Sequence, residues 1–327
     1  CPSLVRILMQ RREFLGLSIA AGLSAAGLPG CSDSGPLRFG IHPWIGYEPL
    51  YLARDFNWLP DTVALVPGTS AKDSMEGLLS GALDGAALTL DETIRVRSSG
   101  LELVVVAVAD VSAGADVLMV KPSITELTAL KGQRIAVELN GVSGVMLFKI
   151  LEVAGLGRSD VIKVDLPVSQ HAQAWSRGEV DASVCYEPTA SLIENAGGVR
   201  LFDSSAIPET IFDVLVVTRK VAESNSRAVR DLLTGHFTGL QHLVRSMHDS
   251  MYRIATRQGI SPDEVRMALA SVMLPDLAAN QRYLRAAGPI ETMAGSLSRL
   301  MLAEGMIDQN PGIQRLSDPS FLPARVS

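Results

Sequence analysis

The sequence predicts an α/β protein of two lobes under a helical C-terminal coat, on three observations. From Leu37 onward, short β-branched runs alternate with longer helical patterns, the signature of a parallel sheet built from βαβ units. The alternation runs through two series of similar size, one before and one after Gly114. After Arg219 the strand pattern all but ceases and helical periodicity takes over.

In the first series the strands are Leu37 to His42 (LRFGIH), 62–66 (TVALV), 84–88 (DGAAL) and 101–109 (LELVVVAVA). Between them, Leu50, Leu52, Ala53 and Phe56 recur at near-helical spacing, and helices are expected from Ser70 to Ser80 and from Asp91 to Val96. The fully apolar Val104 to Val108 fits a strand covered on both faces. The second series reads as strands at 115–120, 133–138, 161–166, 181–186 and 199–203, with helices at Ser143 to Ala154, Gln170 to Arg177 and Pro188 to Ala196. A last strand, FDVLVVT at 212–218, precedes helices at 224–247, 248–257, 262–272 and 288–304. The expected division is a first lobe of residues 37–113 and 214–327 and a second of residues 114–213.

Residues 1–31 read as an export signal. Arg11-Arg12-Glu13-Phe14-Leu15 matches the twin-arginine pattern. The apolar stretch from Leu15 to Leu28 is too short to span ~30 Å of hydrocarbon as a helix and reads as a signal h-region. It ends at Leu28-Pro29-Gly30-Cys31, a lipobox-like sequence in which Cys31 would carry the lipid; cleavage after Ala26 is the alternative. Loss of residues 1–30 removes Arg6, Arg11, Arg12 and Glu13 and moves the formal charge from -6 to -8. An acidic chain without a basic stripe does not suit a phosphate backbone, so no nucleic acid is expected. With Cys1 ahead of the cleavage site, Cys31 on the anchor and Cys185 in an apolar strand pattern, no disulfide framework or metal cluster is expected.

In open α/β sheets ligands sit beyond the carboxyl ends of the strands. Those positions hold His42 to Tyr47, Gly68-Thr69-Ser70, Thr89 to Glu92, Asn140 to Ser143, Ser169-Gln170-His171 and Tyr186-Glu187-Pro188. Trp44 and Tyr186 offer faces for a flat or cationic ligand, while Tyr47 suits packing of its loop. Asp91 fits either a helix N-cap or a ligand contact, and Glu187 before Pro188 fits a helix start. Asp213 lies inside the apolar run Ile211 to Val217, where a carboxylate needs a partner. The loop Asn140 to Gly144 leads into a helix whose first amides would accept an anionic group; it is neither a P-loop nor G-x-G-x-x-G. His42 and His171 stand at strand ends of different lobes. No nucleophile elbow, metal-spaced histidine pair or activated cysteine accompanies them, so binding is expected rather than catalysis, with no cofactor.

The runs IHPWIGYEPLYLAR, GALDGAALTLDE, ADVLMVKPSITELTALKGQRIAVELN, VDASVCYEP and LFDSSAIPETIFDVLVV together resemble the solute-binding proteins of nitrate/sulfonate/taurine-type ABC importers, a group that includes thiamine-pyrimidine precursor binders. The resemblance covers most of residues 37–220 and implies a type II periplasmic-binding fold, two α/β lobes joined by two crossing strands. It implies a monomer in the periplasm or on the outer face of the cell membrane that serves an ABC permease and its ATPase, with the lipid anchor expected from the lipobox-like sequence at Cys31. On the same basis Trp44, Asp91, Gly141, Val142, Ser143, Tyr186 and Asp213 take the ligand-facing positions. Basic side chains are missing from the strand ends except Lys72, already within a helix, so a small nitrogen-containing solute, cationic or zwitterionic, is expected in place of a simple oxyanion. The competing expectations are an enzyme on this fold, resembling pyrimidine synthases or menaquinone-pathway lyases, and a ligand-sensing module.

Overall fold

The chain first lays down β1 (Leu37–Ile41), α1 (Glu48–Asp55), β2 (Val63–Pro67), α2 (Ala71–Leu79), β3 (Gly85–Thr89), α3 (Leu90–Ser98) and β4 (Leu103–Ser112). It continues with β5 (Val117–Val120), β6 (Arg134–Val137), α4 (Val142–Ala154), β7 (Ile162–Asp165), α5 (Val168–Ser176), β8 (Ala182–Cys185), α6 (Thr189–Asn195) and β9 (Val199–Asp203). After β10 (Phe212–Thr218) come α7 (Arg219–Ser224), α8 (Ser226–Arg245), α9 (Met247–Gln258) and α10 (Pro262–Ala270). The two-residue β11 (Val272–Met273), α11 (Leu277–Tyr283) and α12 (Pro289–Ala303) complete the helical part. This computed structural model describes residues 35–325, so the twin-arginine segment and Cys31 lie outside the described residues. From Pro36 onward the chain forms one compact body, and among the described residues no helix is long and apolar enough to cross a membrane.

Two sheets organise this body, in the orders β2-β1-β3-β10-β4-β11 and β7-β6-β8-β5-β9. Their plans match. In each, three parallel strands are followed by one that arrives from the other sheet and pairs antiparallel with both neighbours: β10 between β3 and β4, and β5 between β8 and β9. The sheets are therefore mixed, which corrects the purely parallel expectation. In each sheet the strand that enters from the other one runs against both its neighbours, and nothing in its own residues encodes that direction.

The first sheet is covered on both faces. Val105, Val108, Val214 and Val216 pack with Ile94 of α3 and Leu297 and Met301 of α12. Val104, Val106, Leu215 and Val217 pack with Leu50 of α1 and Leu232 and Phe237 of α8. All ten residues of β4 are buried, which is why its run from Leu103 to Ala109 is apolar without alternation. The second sheet is flanked likewise, by Met146, Leu147 and Ile150 of α4 on one face and by Trp175 of α5 and Ile193 of α6 on the other. Helices α7 and α11 are additions to the sequence expectation; both are short, of six and seven residues, and give little periodic signal.

Candidate functional site

The turn after β1 brings Trp44 and Tyr47 over the end of the first sheet. A one-turn 3-10 helix, Ile45–Tyr47, buries all three of its residues against the sheet. Trp44 Nε1 donates to Asp110 Oδ2 at 2.9 Å, and the Tyr47 hydroxyl donates to Asp213 Oδ1 at 2.5 Å. The turn can lie this low because residue 46 is glycine: a Cβ there would run into the Asp110 carboxylate. The Trp44 ring meets Tyr186, from the end of β8, edge to face at 6.0 Å between centroids. The strand ends of the two sheets therefore face each other across this aromatic pair.

Thr89, not Asp91, caps α3. Its hydroxyl accepts from Glu92 N, and the Glu92 carboxylate accepts from Thr89 N at 2.8 Å, a capping box that leaves Asp91 free of the cap role. Asp91 is 3% exposed, and its Oδ2 has no partner. The Gly141 to Ser143 loop does begin a helix, α4. The Ser143 hydroxyl, however, closes its own turn, accepting from Glu138 N and donating to Glu138 O. Glu187 is exposed and accepts from Ser191 N in the first turn of α6, in line with a helix start. His171 is a core spacer between Ser183 and the Leu166 carbonyl, whereas His42 packs edge-on against Tyr47 at 5.2 Å.

Four residues of the site were not singled out from the sequence. Asp110 and Asp116 flank the crossing from β4 to β5, Glu92 lies beside Asp91, and Arg95 sits one turn further along α3. Arg95 Nη1 donates to the Met306 carbonyl at 2.6 Å and approaches Asn140 Oδ1 at 3.4 Å, reaching the loop ahead of α4. Asp110 carries the signal that exposed Asp213, a carboxylate embedded in an apolar strand run, whereas Asp116 precedes its strand. Arg95 has none, being a mid-helix arginine like many others.

Five carboxylates thus lie buried near one another where the strand ends of the two sheets meet. Burial pushes Glu92 up to about 7, with the charge of Asp91 adding to it. Burial also takes Asp110 to about 7 against the Trp44 bond, and Asp116 to about 6. Asp91 is raised by burial in spite of Thr89 and Arg95, and burial together with the charge of Asp110 holds Asp213 well above the usual carboxylate range. Among the described residues no three such side chains are arranged to hold a metal ion. What the site offers is negative potential, hydrogen-bond acceptors, two aromatic faces and, at its edge, the buried unpartnered Nε and Nη2 of Arg95.

Residues 32–257 match the family model of the NMT1-like family. The chain belongs to the NMT1-like family. Among its relatives, a protein of Escherichia coli named for aliphatic sulfonate binding is 24% identical over 257 residues, 76% of this chain and 80% of that protein. The taurine-binding periplasmic protein of Escherichia coli is 26% identical over 189 residues, 52% of this chain and 59% of that protein. The crystal structure of the periplasmic aliphatic sulphonate binding protein SsuA from Escherichia coli superposes with a TM-score of 0.76 at 20% identity, over 90% of this chain and 95% of that one. This NMT1-like chain thus has the periplasmic-binding-protein fold, and these relatives are named as binding proteins.

Proposed function

We propose that this chain is an extracytoplasmic solute-binding protein that captures a small nitrogen-containing solute, cationic or zwitterionic, and delivers it to an ABC import permease and its ATPase. Family membership and the names of the sulfonate- and taurine-binding relatives support the binding role. The observation that carries the solute class is the set of buried carboxylates beneath Trp44 and Tyr186, with a buried unpartnered oxygen on Asp91. A simple oxyanion would be repelled by that potential. A zwitterion such as taurine could place its ammonium among the carboxylates and its anionic end toward Arg95 and the start of α4. In this reading Trp44, Asp91, Tyr186 and Asp213 contact the solute, Gly141, Val142 and Ser143 border it, and no cofactor takes part. The two sheets belong to two lobes, residues 37–113 with 214–327 and residues 114–213, that close over it. The protein works as a monomer, exported by the twin-arginine route and held at the membrane through a lipidated Cys31.

The test is thermal shift and calorimetry against amines, nucleobases, aminopyrimidines, taurine, alkanesulfonates and nitrate, repeated on Trp44→Ala and Asp213→Asn. An amine or zwitterion should bind, and Trp44→Ala should weaken it by about 0.5–2 kcal/mol, the range of an aromatic face over a cation. Tight binding of nitrate, undiminished in Asp213→Asn, would sink the solute class.

A further inference from the structure

β4 and β10 are antiparallel neighbours, and Asp110 stands directly opposite Asp213 in their register. Opposed residues share a face of the sheet with Cβ atoms ~4.5–5.5 Å apart, so the two carboxyl groups meet. Both are sealed from water, Asp110 at 0% and Asp213 at 4% exposure. Each commits one oxygen to a neutral aromatic donor, Trp44 for Asp110 and Tyr47 for Asp213. Asp110 Oδ1 is left without any other donor, and so is Oδ2 of Asp91 on α3 nearby. Two carboxylates side by side in a dry site do not both ionise: one keeps a proton and donates it to the other.

We infer that Asp110, acting with Asp213, sets the charge selectivity of the cleft: the pair holds one shared proton in the unliganded protein and surrenders it when an N–H group of a cationic solute takes its place. This rests on the solute-binding reading. The only bond broken is the carboxyl O–H: its proton passes to solvent water, and a solute N–H then donates to the freed oxygen. The surroundings favour the exchange. Glu92 from α3 and Asp116 from the end of the crossing add negative charge, Tyr47 and Trp44 are neutral, and Arg95 donates through Nη1 to the Met306 carbonyl while its buried Nε and Nη2 have no partner. An oxyanion gains nothing from the pair itself, whose free oxygens are acceptors; an anionic group would have to turn to Arg95.

The unliganded protein reports the shared proton directly. Asp213 is raised well above, and Asp110 to about 7 from, the range both have when unfolded, near ~4. Between those values the folded state binds more protons than the unfolded one, so this contribution to stability is present at acid pH and fades as pH rises. Glu92 and Asp116 act with the same sign, so the informative quantity is the difference between the wild type and a variant lacking the pair. In Asp110→Asn the new amide donates to Asp213, which can then ionise, while its oxygen still accepts from Trp44. Asp213→Asn removes the other member and guards against a folding defect peculiar to one variant.

The experiment is denaturant unfolding from pH 5 to 8 of the wild type and both variants, without and with 4-aminopyridinium chloride, a flat cation bearing N–H donors. The wild type should lose stability with rising pH. Each variant should follow a shallower slope, by up to about tenfold in the unfolding constant per pH unit. The probe should stabilise the wild type more at pH 8 than at pH 5 and stabilise the variants less. Slopes unchanged in both variants would show that no proton is shared, and equal stabilisation of wild type and variants would show that the pair does not hold the cation; either result overturns the inference. If taurine or a sulfonate stabilises the wild type while the probe does not, the inference falls and the binding reading stands. If no compound stabilises it, the binding reading falls as well.

Discussion

At position 46 the sequence shows only a glycine in a loop between Trp44 and Tyr47, but the fold gives it a function no other residue can fill. The Asp110 carboxylate occupies the place of the missing Cβ, and that contact lets Trp44 reach Asp110. Gly46→Ala should therefore destabilise the protein by about 3 kcal/mol, the upper part of the range for overpacking a tight site, and lower its denaturation midpoint. It should also weaken solute binding, since the Trp44 ring moves with the turn; a variant with unchanged midpoint and affinity would refute this account. The site was legible from the sequence where chemistry clashed with surroundings. Asp213 stood out as a charge within Ile211 to Val217. Asp110, between Ala109 and Val111, sends the same signal, but a reading that ends the strand at Ala109 places it in a loop where a carboxylate is unremarkable. Its importance comes from the neighbour opposite, and strand pairing is a long-range fact.

Among the elements, helices α1 and α8 approach so closely that a Cβ on Gly239 would collide with the Pro49 carbonyl. Gly235, one turn earlier, leaves room for the Leu59 side chain. The first turn of α1 is fixed at its other side by buried Glu48, whose carboxylate accepts from Arg257 Nη2 at 2.8 Å and Gln258 Nε2 at 2.7 Å. Backbone cannot yield as a side chain can, so Gly239→Ala should cost about 2–3 kcal/mol and lower the urea midpoint without changing the m-value. A midpoint within error of the wild type would mean the helices separate freely. Element type was readable almost throughout, because apolar periodicity differs between strand and helix. β10 illustrates both the success and its limit: FDVLVVT marks it residue for residue, yet its antiparallel place between β3 and β4 depends on where the chain crosses.

For the whole molecule, the proposed lobe closure has a hinge, because among the described residues the chain passes between the sheets only from Ser112 to Val117 and from Asp203 to Phe212. Both passages border the acidic cleft: Asp110 and Asp116 flank the first, and Asp213 follows the second. A cation bound there would neutralise repulsion at the hinge itself and favour the closed form. Solution scattering should show the radius of gyration shrinking on saturation with a bound amine or zwitterion; an unchanged radius would count against closure. The exchange of strands also has a consequence for the order of assembly during synthesis. The second sheet has all its strands once Asp203 has been made. The first sheet cannot form its centre, since β3 and β4 both wait for Phe212–Thr218 to come between them. Until then two largely apolar strands expose unpaired edges, an open template for aggregation. The half of the protein that is begun first is thus finished last, and the newborn chain is most vulnerable while the ribosome is still completing its middle third.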